Sequence, residues 1–318
     1  GNQSPACSPP KQLLCGRDMR LEYRQVDVFA SAPLSGNGLA AVITEAPLDT
    51  AFMQRLTCEL RQFETIFLVP AARPATYEAR VFTMEEELPF AGHPSIGAAA
   101  VLHERAGGDR YDCRLVLGSG TVELSSQRSG AGFRVTMEQG TPEFGDTLAP
   151  DSERDWLAAF GLDGGDRDRR MPLCVASTGL PYLVVPVTSA GLGKARVRVD
   201  DLEKRVAGIG AKFVYVLDIE EREGRTWDNQ GIVEDIATGS AAGPAAALLV
   251  KHGLAEAEKP ILIRQGRFVG RPSEMRLEVA GSREQITGVA LSGSVAMVAT
   301  GQFDAAVAFG GDGARRGS

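Results

Sequence analysis

Alternation of apolar and polar positions predicts strands over much of the chain. Tyr23–Phe29 (YRQVDVF) alternates in part and stops at the turn-rich SAPLSGNG. Short β-rich runs follow at Leu39–Thr44, Glu64–Val69, Tyr77–Thr83, Cys113–Leu117, Val122–Leu124 and Phe133–Met137. Helical spacing is rarer. It appears over Leu48–Leu60, with Asp49 as N-cap or first-turn acid, and over the alanine-rich Ser95–Arg105, which ends before Gly107. It returns over Asp151–Phe160 and over Ala241–His252, which Gly253 stops.

Two of these helices look alike. Gly97–Gly107 (GAAAVLHERAG) overlays Gly243–Gly253 (GPAAALLVKHG) at an offset of 243 − 97 = 146 residues. Each follows a small-residue turn, AGHPS in one and ATGSA in the other. Alanine-rich helices commonly look alike, yet the repeated strand–turn–helix unit suggests duplication. A helix that is small all round can be enclosed by sheet on every side. The expected fold is therefore α+β, with two similar domains, each a curled sheet around a central helix and both helix N-termini facing a shared cleft. The domains are placed at 19–138, completed by about 300–309, and 139–299, with 1–18 a tag remnant or disordered arm and 310–318 a flexible tail.

Composition narrows the function. A net charge of −7 on 318 residues argues against a general nucleic-acid binder. No run of 18 or more apolar residues suggests a membrane span. The five cysteines, Cys7, Cys15, Cys58, Cys113 and Cys174, form no C-x-x-C pair and fit a reducing, cytoplasmic setting. Three scattered histidines and unpaired cysteines leave no expected metal site. The GNGLAA stretch at Gly36–Ala41 matches a weak dinucleotide pattern, but the extended V-I-T after it argues against such a site.

Candidate chemistry gathers at the two small-residue turns. A helix N-terminus exposes unpaired N–H groups and the positive end of its dipole. Two such ends at one cleft would hold a carboxylate. Spacing alone favours the plainer reading, a capped helix start with Ser95 or Ser240 as cap. His93, between Gly92 and Pro94, is positioned to donate, accept or shuttle a proton, or else to bond within the turn. His103 and His252 lie near helix C-termini, where a surface role or a dipole contact is expected.

Glu64 sits in the strand-like QFETIFLV and shares a face with Ile66 and Leu68. Desolvation there favours the protonated carboxyl, the direction that acid/base work near neutrality needs. The alternative is a strand-edge glutamate reaching water. In VEDIATGS, Glu234 and Asp235 precede the Gly-Ser turn; either orients or polarises a ligand, or the turn is simply solvated. Glu85, Glu86 and Glu87 read as a solvated cluster.

Three stretches resemble signatures of the PhzF-like phenazine-biosynthesis family: Phe63–Phe67 (FETIF), Pro89–Ala98 (PFAGHPSIGA) and Glu234–Pro244 (EDIATGSAAGP). The opening Val26–Val42 is similar too, and the resemblance runs from about Met19 to Phe309. It implies the two-domain fold of diaminopimelate epimerase and a cofactor-free, homodimeric isomerase acting on a small carboxylate. It further implies that Glu64 transfers the proton while His93, Asp235 and Ser240 hold and polarise the substrate. Gly92, Ser95, Gly239 and Ala241 would then line the carboxylate site. Ile236 stands where the family usually has proline, and Met84 and Arg225–Gly231 also depart from its pattern. Two other functions remain open: a two-base amino-acid epimerase or racemase, which would need cysteines at the turns, and a binding protein without turnover.

Overall fold

The computed structural model describes residues 21–304, Phe90 excepted. The arm at 1–18, the tail at 310–318, Cys7 and Cys15 lie outside the described residues. In the first half the strands are β1 (Leu21–Val28), β2 (Asn37–Ile43), β3 (Glu64–Pro70), β4 (Thr76–Phe82), the two-residue β5 (Glu87–Leu88), β6 (Arg110–Leu117), β7 (Gly120–Ser129) and β8 (Gly132–Gly140). The helices there are α1 (Thr50–Leu60) and α2 (Gly92–Ala106). The second half runs β9 (Glu143–Thr147), α3 (Pro150–Ala159), β10 (Cys174–Ser177), β11 (Pro181–Val187), α4 (Ser189–Lys194), α5 (Leu202–Gly208), β12 (Phe213–Asp218) and β13 (Glu223–Arg225). It ends with α6 (Gly239–Lys251), β14 (Ile261–Gln265), β15 (Ser273–Gly281) and the long β16 (Ile286–Phe303).

All strands join one mixed sheet, and β16 is its pivot. Its first part pairs with β15 and its last part with β1, while Val289–Val295 pairs with β8. Thus β1, β2, β3, β4, β6, β7, β8 and β16 close into a ring, and the sheet continues from β16 through β15, β14, β13, β12, β11 and β10 to β9. The ring encloses α2; the second arc wraps α6. Both helices are buried nearly all round, as their alanine content allows, from His93 to His103 and from Ala241 to Val250. The fit is tight: a Cβ at Gly97 would lie 2.4 Å from Leu39 Cδ2. One apolar cluster takes in both helices, and a second lies under α3, α4 and α5. No helix among the described residues is long and apolar enough to cross a membrane.

Local signals place most elements well. Asp49 does cap α1, accepting from Phe52 N–H at 3.1 Å. GNGLAA opens strand β2, as its extended continuation suggests. Glu85–Glu87 are exposed, and Glu87 pairs with Arg80.

Three expectations need correction. The central helices begin earlier than their alanine runs, so Gly92, His93 and Pro94 form the first turn of α2 and not a turn before it. Proline is tolerated there because the first helical N–H groups have no intrahelical acceptor. The caps are Ala91 and Thr238 instead of Ser95 and Ser240. His103 is fully buried rather than on the surface; its ring bonds Ser126 Oγ at 2.8 Å and the Gly108 carbonyl at 3.2 Å. For Glu64 it is the alternative that fails: the side chain does not reach water at an edge, since β3 lies between β2 and β4.

Candidate active site

The N-termini of α2 and α6 come together beside β2 and β3. Neither has a side-chain cap, so the first N–H groups of each helix keep their donor capacity and the dipoles add positive potential. Small residues make this approach possible. A Cβ at Gly239 would lie 2.5 Å from Leu291 Cδ2, and Gly293 leaves room for Phe29.

At the α2 end, Glu64 starts β3 with its side chain toward the helix. Its Oε2 lies 2.9 Å from His93 Nδ1. The approach is off the line of a well-formed hydrogen bond, and both Glu64 Oε2 and His93 Nε2 are buried without a hydrogen-bond partner. Asn37, the first residue of β2, is 1% exposed. Its Nδ2 lies 3.5 Å from His93 Nδ1 and donates to the Ala237 carbonyl at 3.4 Å, while its Oδ1 is unpartnered. Burial alone would lower the His93 pKa. The charge of the adjacent Glu64, with lesser help from the Asp235 charge and the Gly38 backbone, outweighs it and holds the imidazole above its ordinary value.

The α6 end is more fully bonded. Asp235 Oδ2 accepts from Thr238 Oγ1 at 2.5 Å. Burial pushes the half-buried Asp235 carboxyl up, against the Thr238 hydrogen bond and the His93 charge. Gln265 donates to the Asp235 carbonyl and to Thr238 Oγ1, and its Oε1 accepts from Thr238 N–H and Tyr215 Oη. Ser240 Oγ is 2.8 Å from Tyr182 Oη, and burial raises the Tyr182 phenol. The neighbouring Glu234 is not solvated: it clasps Arg225, which is fully buried, at 2.6 and 2.8 Å.

The structure thus brings Glu64, His93, Asp235 and Ser240 into one neighbourhood, with Gly92 and Gly239 as first residues of the two helices. Ser95 lies further in, its hydroxyl donating to the Ala91 carbonyl at 2.8 Å. Ala241 is fully buried and its N–H already bonds the Thr238 carbonyl. Sequence reasoning missed Asn37, Tyr182, Tyr215, Thr238 and Gln265. Asn37 was visible only as part of a weak glycine pattern; Tyr182, Tyr215 and Gln265 carry no local signal. A buried acid beside a buried imidazole, facing two uncapped helix ends, suits proton transfer on a bound anion.

The sequence profile of phenazine biosynthesis-like (PhzC-PhzF) proteins matches residues 26–301. A trans-2,3-dihydro-3-hydroxyanthranilate isomerase of Pseudomonas fluorescens is 32% identical over 278 residues, 86% of this chain and 95% of the relative. The solved structure of a predicted epimerase from Pseudomonas aeruginosa superposes with a TM-score of 0.83 at 50% identity, covering 89% of this chain and 99% of its own. A probable proline racemase from Agrobacterium radiobacter shares the fold at 14% identity and TM-score 0.58, covering 89% and 93%. The mixed sheet with few helices is accordingly a diaminopimelate-epimerase-like arrangement, and the chain belongs to the phenazine biosynthesis-like (PhzF) family, whose curated relatives are isomerases.

Proposed function

We propose that this protein is a cofactor-independent isomerase that moves a proton within a small unsaturated or cyclic carboxylic acid. The two sheet-wrapped helices act as two domains with the reacting carbon held between them. Glu64 takes the proton from one carbon and returns it to another. His93, whose raised pKa favours the imidazolium, sets a positive charge beside the Glu64 carboxylate and hydrogen-bonds the substrate. The substrate carboxylate lies on N–H groups at Gly92 and Gly239–Ser240, with Ser95 and Ala241 shaping the same wall. Asp235 and Ser240 orient the polar groups of the ring. No net electron transfer occurs: one C–H bond breaks, another forms, and the double bond migrates between them. Water exclusion keeps the proton on the enzyme between the two steps. By its family resemblance the protein is also proposed to work as a cytoplasmic homodimer.

The observation that carries this reading is the pairing of Glu64 Oε2 with His93 Nδ1 at 2.9 Å, both buried, with Glu64 Oε2 and His93 Nε2 free of other partners. Buried polar atoms are rarely left so in a purely structural role. The two-base epimerase reading needs a thiol on each side. Cys58 on α1 is exposed and bonds the Met84 carbonyl, Cys113 is on β6 and Cys174 on β10, and none of the three is at either helix end.

The test is proton NMR of trans-2,3-dihydro-3-hydroxyanthranilate, the compound named for the curated relative, with the protein in heavy water. Isomerisation or deuterium uptake that disappears in Glu64→Gln supports the mechanism. Exchange that persists in that variant removes Glu64 from its role. Saturable binding with neither isomerisation nor exchange, for this acid and a panel of small carboxylic acids, would make the chain a binding protein.

A further inference from the structure

We infer that the segment Gln265–Ser273 is a strut whose two anchors, Gln265 and Arg271, are positioning residues: one fixes the turn carrying Asp235, the other the loop that leads into Asn37. This rests on the reading of the cleft as the place of proton transfer.

Gln265 closes β14 and is 1% exposed. Its amide has two donors and two acceptor lone pairs, and all four are used. Oε1 accepts from Tyr215 Oη and Thr238 N–H, both at 3.2 Å; Nε2 donates to the Asp235 carbonyl at 3.0 Å and to Thr238 Oγ1 at 2.9 Å. Rotating the amide by half a turn would set its N–H groups against the Thr238 N–H and its oxygen against the Asp235 carbonyl. The amide orientation therefore dictates where the Asp235–Thr238 turn sits, and Thr238 Oγ1 passes that constraint to the Asp235 carboxylate.

Arg271 does the matching work on the first half. Its Nη2 donates to Asp27 Oδ1 at 2.8 Å and to the Ser35 carbonyl at 3.1 Å, and its Nε donates to the Gly36 carbonyl at 2.8 Å. Gly36 N–H bonds the Pro272 carbonyl, and Glu274 N–H bonds the Phe29 carbonyl. Asn37, next along, reaches both His93 and the Ala237 carbonyl. Between the anchors, Gly266 has φ +87, and a Cβ there would lie 2.2 Å from the Arg271 carbonyl oxygen and 2.6 Å from that of Ile236. The strut backbone thus presses directly on the Asp235 turn. One short stretch holds both sides of the cleft, so it sets the gap between the two helix ends.

The test uses the full chain with Gln265→Met, which keeps bulk and removes all four bonds, and Arg271→Met. Thermal melting, kcat and KM for isomerisation, and a histidine-selective NMR titration of His93 are measured. The titration reports the charges facing that ring, Glu64 from β3 and Asp235 from the turn before α6. We expect kcat to fall about tenfold to a hundredfold, because ångström-scale misplacement is that costly, with KM changed much less and the His93 titration displaced. Arg271→Lys should not restore the wild-type values, since an ammonium lacks the planar fork that reaches Asp27, Ser35 and Gly36 together. Lower melting with unchanged kcat per folded molecule and an unmoved His93 titration would overturn the strut and leave a stabilising role only. Should Gln265→Met fail to fold, Thr238→Val, with Thr238→Ser expected to recover part of its loss, decides by the same criteria. If the wild-type chain shows no turnover, the functional reading falls, while the His93 titration in the variants still decides the positioning.

Discussion

The two helix ends solve one problem in different ways. Each belongs to a buried, alanine-rich helix without a side-chain cap, and each carries a polar residue second in the helix, His93 in α2 and Ser240 in α6. At the α2 end, His93 Nε2 and Asn37 Oδ1 are buried and unpartnered, and Glu64 Oε2 has only its off-line contact with His93 Nδ1. At the α6 end, Asp235, Thr238, Ser240 and Gln265 are tied into a network with Tyr182 and Tyr215, and among the described residues the one orphan nearby is Gln139 Oε1. A buried polar atom left unpaired costs about 1–3 kcal/mol. On the proposed reading, the α2 end keeps polar atoms that a bound ligand would engage. The α6 end has little left to gain and so holds its shape. On the proposed reading, reactivity and alignment are divided between two ends of similar construction.

The sharpest way to break this contrast is Glu64→Gln, which keeps the shape and removes the proton acceptor. Isomerisation should fall about a thousandfold, with ligand affinity retained by calorimetry. Equal turnover in the variant would place the base elsewhere. Next is His93→Ala, for which kcat should drop about a hundredfold. The same residue leaves a mark on stability. Its folded pKa is raised above the ordinary 6.5, so its contribution is full below that value and is lost as pH rises through the folded pKa. The stability gap between wild type and His93→Ala, read by denaturant titration, should narrow as pH climbs from mildly acidic to alkaline. A gap that widens would mean that His93 folds as the neutral ring.

A smaller effect is expected from Asp235→Asn, about tenfold on kcat. Removing the Asp235 charge should also lower the His93 pKa, visible by NMR, because that charge helps to hold the proton. The smallest is Tyr182→Phe. It leaves the Ser240 hydroxyl without its partner at 2.8 Å and should cost about 1 kcal/mol of stability, with kcat falling less than tenfold. If Tyr182→Phe were as damaging as Glu64→Gln, the division between a reactive end and an aligning end would be wrong.

Much of the second half was hard to read in sequence. Its strands β10, β13 and β14 have only 4, 3 and 5 residues and its helices α4 and α5 only 6 and 7, too few for a clear period. Glu64 was legible as a carboxylate on an aliphatic strand face, and the PFAGHPSIGA and EDIATGSAAGP stretches carried His93, Asp235 and Ser240 by resemblance. The surface reading of His103 fails because its partners, Ser126 and Gly108, come from outside the helix, in the chain that closes around α2.

What the sequence determined by itself was the local layer: most first-half strands, the four longer helices, the Asp49 cap, and the glycine- and alanine-rich turns that make helix ends approachable. These follow from side-chain period and backbone preference within a few residues. What only the tertiary structure decided was which ends meet and which polar atoms find partners. The Tyr215–Gln265 bond spans 50 residues and the Arg271–Asp27 bond 244. Such pairs depend on how β16 joins β8 and β15 to β1, and burial of a polar group is set by the elements packed over it rather than by its neighbours in the chain.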